Sequence, residues 1–227
     1  MRSITATLRA SREAVAPSRP AAAPALERVV QRTDWQRVRE LRHDALARRG
    51  DIAQPEPRAW SDAHDSALNA ATFMLRAGDR LIGTTRSSAA SSQRRWPLPS
   101  HEVFGEQIQA AFGSEATLVE ASLTLVDPDA DDPKVALIHL FRAHMLHCAV
   151  EDADWLLAAV RESQIGFFRR MFNMELASGP ERCPGFATPR VLMALAYREQ
   201  ARLLAKRLPV LASGAEEERE FVRLLRG

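Results

Sequence analysis

Cysteine is nearly absent: Cys148 and Cys183 are the two in 227 residues, too few for a disulfide-built secreted scaffold. No apolar run approaches the roughly 18 residues that a membrane-spanning helix needs. An excess of one charge is missing too. The 31 basic and 29 acidic residues leave a net charge of +2, which argues against a dedicated nucleic-acid binder, whose cations must neutralise phosphates. There is no glycine pattern of the P-loop or dinucleotide type, no internal repeat, and no Ser/His/Asp arrangement that can be argued from the sequence. Lysine is almost missing. Apart from Lys134 and Lys206 every basic residue is an arginine, which with the abundant alanine reads as the coding bias of a GC-rich, bacterial genome.

What remains is an ordinary globular composition, 46% hydrophobic and 26% charged. A chain of this length buries about 70–75% of its unfolded surface and needs no covalent staples. Residues 1–25, Ala/Pro-rich and poor in acids, read as a tail. Residues 26–208 read as one domain, and 209–227 as a C-terminal segment with an amphipathic helix at 216–225. Within the domain a strand is expected at 26–31. A helix follows at 33–49, capped by Thr33 with Gln36 or by Asp34, and stopped by Gly50. Its apolar stripe is Val38, Leu41 and Ala45; Arg42 lies beside that stripe and needs a carboxylate or carbonyl partner. Residues 51–69 read as loop. Strands at 70–77 and 81–87 flank the Gly78-Asp79 turn and form a hairpin. After a polar loop at 88–100 come a helix at 102–112 and an apolar strand at 117–126. Asp131-Asp132-Pro133 opens a helix to about 150. A central strand at 154–160, a helix at 164–172, a short strand at 174–177, a loop at 179–189, a strand at 191–196 and a helix at 198–207 complete the order. An early hairpin followed by crossover units implies an α/β (α+β) protein with a mixed sheet.

His144 and Cys148 stand four residues apart on the helix opened by Pro133, a spacing that metal ligands use, and His147 is beside them. Two ligands do not make a site, so they are expected to be packing residues and no metal is assigned.

The element order, with five local matches, resembles the acyl-CoA N-acyltransferase fold, the GNAT superfamily. The similarity is to its branch of acyl-homoserine lactone synthases and long-chain N-acyl amino acid synthases. Val38 to Leu46 sits where that branch has a helix with Leu-Arg. Asp62-Ala63-His64-Asp65 resembles its Asp-x-x-Asp, and Ile82-Gly83-Thr84-Thr85-Arg86 its Gly-Thr-x-Arg strand. Glu120-Ala121-Ser122 is similar to the start of its Glu-x-Ser-Arg, and Phe167 to Phe172 to its helix ending in Tyr-Arg-Arg-x-Gly-Phe. Three positions depart from the pattern: Leu123 replaces the arginine after Ser122, the first helix lacks the aromatic expected near His43 and Ala45, and Asn173 replaces glycine.

The resemblance implies a mostly antiparallel sheet with one splayed parallel pair, strands 117–126 and 154–160, between which a thioester arm is slotted. It implies transfer of a fatty acyl group from acyl carrier protein to the amine of a small acceptor such as an amino acid, in the cytoplasm. No cofactor is held permanently; the donor is the acyl-phosphopantetheine of the carrier protein, or acyl-CoA. Glu120 and Ser122 are the implied catalytic residues. Glu120, flanked by Val119 and Ala121, is expected to be buried with a raised pKa, as general base or as partner of a buried arginine. Arg42, Asp65 and Arg86 are expected in a charged substrate-binding cluster with Asp62 further out, and Trp155 nearby. Arg94, Arg95, Arg142, Arg161, Arg169 and Arg170 are candidates for docking an acidic carrier protein. The turn Asp127-Pro128-Asp129-Ala130-Asp131-Asp132 has no glycine to wrap a pyrophosphate and its acids repel one, which disfavours acetyl-CoA as donor. A homoserine-lactone-type signal synthase, and a catalytically degenerate member that binds a ligand or partner, are the alternatives.

Overall fold

The computed structural model describes residues 24–52 and 58–226. The expected tail therefore lies outside the described residues except at its last two positions, and Ala25 already belongs to a strand. In chain order the main elements are β1 (Ala25–Arg28), α1 (Arg32–Arg48), β2 (Ala70–Ala77), β3 (Arg80–Ala90), α2 (His101–Phe112), β4 (Leu118–Val126), α3 (Pro133–Glu151), β5 (Trp155–Arg161), α4 (Ile165–Phe172), β6 (Glu175–Glu181), β7 (Arg190–Ala196), α5 (Tyr197–Arg207) and α6 (Ala215–Arg226). None of the described helices is long and apolar enough to cross a membrane.

Among the described residues seven strands form one sheet in the order β1-β2-β3-β4-β5-β7-β6. Neighbours are antiparallel except β4 and β5, the parallel pair that the resemblance implied. Alternate residues of the central strands face opposite layers. Val119, Ala121, Leu156, Ala158 and Met193 pack under α3 and α4, against Phe141, Met145 and Phe172. Leu118, Leu157, Leu192 and Ala194 face the other way, onto Phe104 and Ile108 of α2. Farther along that second face, α1 sets Ala45 and Leu46 on Leu125. Each of the larger of these side chains, fully buried, contributes about 1.5–3 kcal/mol, and the alanines less.

Several local expectations are corrected. The capping of α1 by Thr33–Gln36 or Asp34 does not form. The helix starts one residue earlier with no side-chain cap at Gln31, and Asp34 pairs with Arg76 at 2.9 Å instead. The helix does end at Gly50, whose φ of +66° is cheap for glycine. β1 stops at Arg28 rather than 31, β3 runs on to Ala90, and β6 takes in Gly179 to Glu181, expected as loop. Among its described residues the loop at 51–69 contains a single 3-10 turn, Ala63–Ser66. The start of α3 forms as expected: Asp132 accepts from the Val135 N–H at 3.0 Å and Pro133 opens the first turn.

Candidate active site

β4 and β5 pair only from Leu118–Trp155 to Ala121–Ala158. The cause is one residue. Between the β3–β4 pairs Thr84–Leu125 and Arg86–Ser122, β4 carries two residues against one on β3. This is a bulge, and Leu123 within it takes φ = +50°. The bulge swings β4 away from β5 and opens a cleft lined by Leu46, Leu123, Ala158, Phe168, Phe186 and Arg190.

At the root of this cleft, on the α2 face, stands Glu120, 1% exposed. Its Oε2 accepts from the backbone N–H of Ser100 at 3.0 Å and from Ser100 Oγ at 2.7 Å. Ser100 stands where a helix cap would, before α2, but gives its hydroxyl to Glu120. No arginine pairs directly with Glu120 among the described residues, which corrects the expectation of a buried ion pair. Burial pushes the carboxyl up to about 7; the Ser100 hydrogen bonds and the charge of Arg86 pull against it. Ser88, its cross-strand partner, has a buried hydroxyl with no hydrogen-bond partner among the described residues.

One position along the same face the charged cluster assembles. Arg42, 0% exposed, donates from Nη1 to both oxygens of Asp65 at 2.8 and 2.7 Å, and from Nη2 to Thr72 Oγ1 at 3.4 Å. Arg86, 1% exposed, donates from Nε to Ser122 Oγ at 3.0 Å, from Nη2 to Asp62 at 3.0 Å and from Nη1 to Asp65 at 3.1 Å. Its Nη1 also bonds Asp62 Oδ1, so Asp62 is a direct partner rather than an outer residue. Asp62 also caps the 3-10 turn by accepting from the His64 N–H at 2.9 Å, which aims both acids at the sheet. Burial raises the Asp62 pKa, but the Arg86 hydrogen bond and charge outweigh it and hold the carboxyl below its ordinary value. Removing Asp65 would leave two buried guanidinium groups undercompensated, at about 3–5 kcal/mol.

Arg42, Asp62, Asp65, Arg86, Glu120 and Ser122 are thus brought together. Trp155 is not: it starts β5 with its ring 4.9 Å from Phe112, in the apolar layer under α2. The docking arginines divide. Arg94 and Arg95 follow β3, at the closed end of the β4–β5 pair, and Arg94 pairs with Glu151 at 3.3 Å. Arg142 is engaged by Glu217 and the Ala212 carbonyl. Arg161 ends β5 at the open end, and Arg169 and Arg170 lie in the last turn of α4. The sequence reading missed Ser100, Thr72 and Ser88. A serine directly before α2 was the one signal available. No three His, Cys, Asp or Glu side chains gather as a metal site among the described residues. His144 sits with the Thr85 and Thr124 hydroxyls 2.7 and 3.3 Å from its Nε2, and Cys148 is core. α1 does carry an aromatic, Trp35, whose ring lies 6.0 Å from the Arg42 guanidinium. Asn173 takes the left-handed position that ends α4, the place of the expected glycine.

A family model described as N-acyl amino acid synthase FeeM matches residues 37–196. Among solved structures the chain is similar to FeeM, an N-acyl amino acid synthase from uncultured soil microbes: TM-score 0.66 and 17% identity, over 81% of this chain and 97% of that one. It is similar also to the acyl-homoserine lactone synthase LasI, with TM-score 0.56 and 11% identity over 76% of this chain and 89% of that one. The CoA-dependent acyl-homoserine lactone synthase BjaI gives TM-score 0.58 and 18% identity over 82% and 90%. No curated protein sequence matches the chain.

Proposed function

The chain belongs to the N-acyl amino acid synthase FeeM family and is an acyltransferase, and we propose on that basis that it moves a long-chain fatty acyl group from acyl carrier protein to the amine of an amino acid. The observation that carries the reading is a carboxyl with a pKa of about 7 at the root of a parting parallel strand pair. The thioester lies in the cleft. Its carbonyl oxygen meets backbone N–H groups on the stretch of β5 beyond Ala158 that β4 leaves unpaired. A neutral amine attacks the carbonyl carbon, its proton passes to Glu120 directly or through one water, and the tetrahedral intermediate expels the thiolate. Ser122 and the Asp62–Asp65–Arg42–Arg86 cluster hold the amine-side wall in place.

The acidic turn at 127–132 opens α3 where a CoA pyrophosphate would have to sit. Asp132 there already caps the helix and Asp127 and Asp129 hold Arg80 and Arg48. A carrier protein, which brings a single phosphodiester and an acidic surface, suits this end better, with Arg169 and Arg170 as its contacts. A bacterial cytoplasm supplies that donor.

The test is transfer by the purified protein from dodecanoyl or hexadecanoyl carrier protein, and from the matching CoA esters, to a mixture of amino acids, read by mass spectrometry. N-acyl amino acids should form with a higher kcat/KM from carrier protein than from CoA. Saturable turnover of acetyl-CoA alone would overturn the donor. Tight binding of acyl carrier protein with no transfer to any amine would make the chain a binding module.

A further inference from the structure

At the open end of the cleft three guanidinium groups meet around one carboxylate. Arg161 ends β5, Arg190 begins β7, and the two are direct partners in the antiparallel ladder. Both leave the sheet on the face Glu120 uses, since Leu157, Leu192 and Ala194, at even spacing from them, pack on α2 beside Leu118. Like charges directly opposite on neighbouring strands destabilise a sheet. Arg49, at the end of α1, stands on the third side, and its carbonyl accepts from Arg161 Nη1 at 3.4 Å.

Asp51, 2% exposed, is the counter-charge. Its Oδ1 lies 3.1 Å from Arg190 Nη2 and accepts from Thr188 Oγ1 at 2.9 Å. Its Oδ2 is 3.9 Å from Arg161 Nε, beyond hydrogen-bond reach, and that buried Nε has no hydrogen-bond partner among the described residues. Arg49 makes no side-chain bond among the described residues. Partial burial lowers its pKa and the charge of Arg161 lowers it further. Among the described residues, three cations against one anion leave two positive charges uncompensated beside a donor without a hydrogen-bond partner, an arrangement that asks for an anion.

We propose that Arg49, Arg161 and Arg190 form the carboxylate-binding site for the acceptor, which is a free amino acid. The site rests on the reading of the chain as an amino acid N-acyltransferase. The carboxylate sits between Arg49 and Arg161, and Arg190 is held behind them by Asp51. The amine points down the cleft to the end of the β4–β5 ladder. Arg161 stands three residues past Ala158, about 10 Å along the strand, and its own side chain turning back covers much of that gap. What remains suits the short span from carboxylate to amine in an amino acid. The pantetheine chain between thioester and phosphate is far longer, so the donor's phosphate fits worse. Phe186, its ring 4.3 Å from the Arg190 guanidinium and 5.6 Å from Trp60, gives the acceptor's side chain an apolar wall.

The test uses the full chain, its Arg49→Gln and Arg161→Gln variants, and Arg161→Lys as the variant that keeps the charge. N-dodecanoylglycine and N-dodecanoylglycinamide differ only in the carboxylate, and glycine brings no side chain to confuse the fit. By titration calorimetry the wild type should bind the acid about tenfold or more tightly than the amide, as paired charges require. Both Gln variants should lose that preference and Arg161→Lys should keep most of it. In transfer assays the Gln variants should raise KM for the amino acid about tenfold and leave KM for dodecanoyl carrier protein unchanged. The Arg49 side chain makes no hydrogen bond among the described residues, so its variant folds even if Arg161→Gln does not. Equal binding of acid and amide by the wild type overturns the proposal. So does a rise in donor KM with acceptor KM unchanged, which assigns the cluster to the donor's phosphate. The titration needs no turnover: acid preference in a protein that transfers nothing sustains the site and removes the transferase reading. Transfer to amino acids and their amides at equal rates does the reverse.

Discussion

At Glu120 the fold keeps a carboxyl protonated near neutrality, and this sets stability against activity. The folded pKa of about 7 lies above the ordinary 4.5. Between those values the unfolded chain has released a proton that the folded one still holds. Stability therefore falls as pH rises through this window and is flat above it, by about 3 kcal/mol in all. Glu120→Gln keeps an oxygen for Ser100 and cannot ionise. It should be more stable than the wild type at pH 8, by up to that amount, and no more stable at pH 4. At pH 7 it should lose about 10²–10⁴-fold in turnover. Urea unfolding at the two pH values and single-turnover rates check both halves; equal stability gains at both pH values would show that Glu120 does not titrate in this window. The burial of Glu120 was legible from its apolar neighbours Val119 and Ala121. Its partner was not, because Ser100 is distant in sequence and stands where a serine ordinarily caps a helix. Nor was the conformation of Leu123: nothing in a leucine announces a positive φ, and its cost of about 1–2 kcal/mol is met by the surrounding pairing.

Among the elements, the hairpin of β2 and β3 and the start of α3 were legible because Gly78-Asp79 and Asp132-Pro133 are local signals. The far half of β6 was not. There this exposed edge strand holds Gly179 and Pro180, with no hydrophobic alternation to betray it, and an edge tolerates proline. The first-turn acid of α1 misled for a different reason: Arg76, on β2, competes successfully for Asp34. The contact between β3 and α3 depends on Gly83. A Cβ there would come 2.8 Å from Leu140 Cδ1 and 3.1 Å from the Leu125 carbonyl, on the strand segment just past the bulge. Gly83→Ala should destabilise by about 1–3 kcal/mol and weaken acyl-donor binding, because β4 must shift where it forms the cleft. Denaturant midpoints and donor KM measure this; an unchanged midpoint would mean that Leu140 yields freely.

For the molecule as a whole, a mixed sheet follows from an early hairpin and later crossovers, and its parallel pair was implied by the resemblance, so that much of the architecture was legible. The arginine trio was not, since Arg49, Asp51, Arg161 and Arg190 meet only after β5 and β7 pair and α1 lies over them. Two further buried groups decide how the molecule meets acid. Burial pulls His144 down to about 3 and His147 to about 4, from 6.5. Below pH 6.5 the unfolded chain takes up protons these histidines refuse, so they cost stability as pH falls toward 3. Glu120 acts in the opposite sense only down to about 4.5, and below that nothing from it offsets the histidines. His144→Asn should therefore make the dependence of stability on pH between 6 and 4 shallower by about 1.4 kcal/mol per pH unit. Unfolding free energies across that range test it, and an unchanged slope would show that His144 charges in the fold. At the far edge of the sheet the Arg28 guanidinium of β1 grips the Leu224 and Leu225 carbonyls of α6, both at 2.8 Å, while Phe221 stacks on Phe73. The backbone thus traces an almost closed loop whose seam lies three strands from β4. Tension applied to the two ends of that loop would part the seam, peeling α6 and β1 away while the cleft stayed shut to the load.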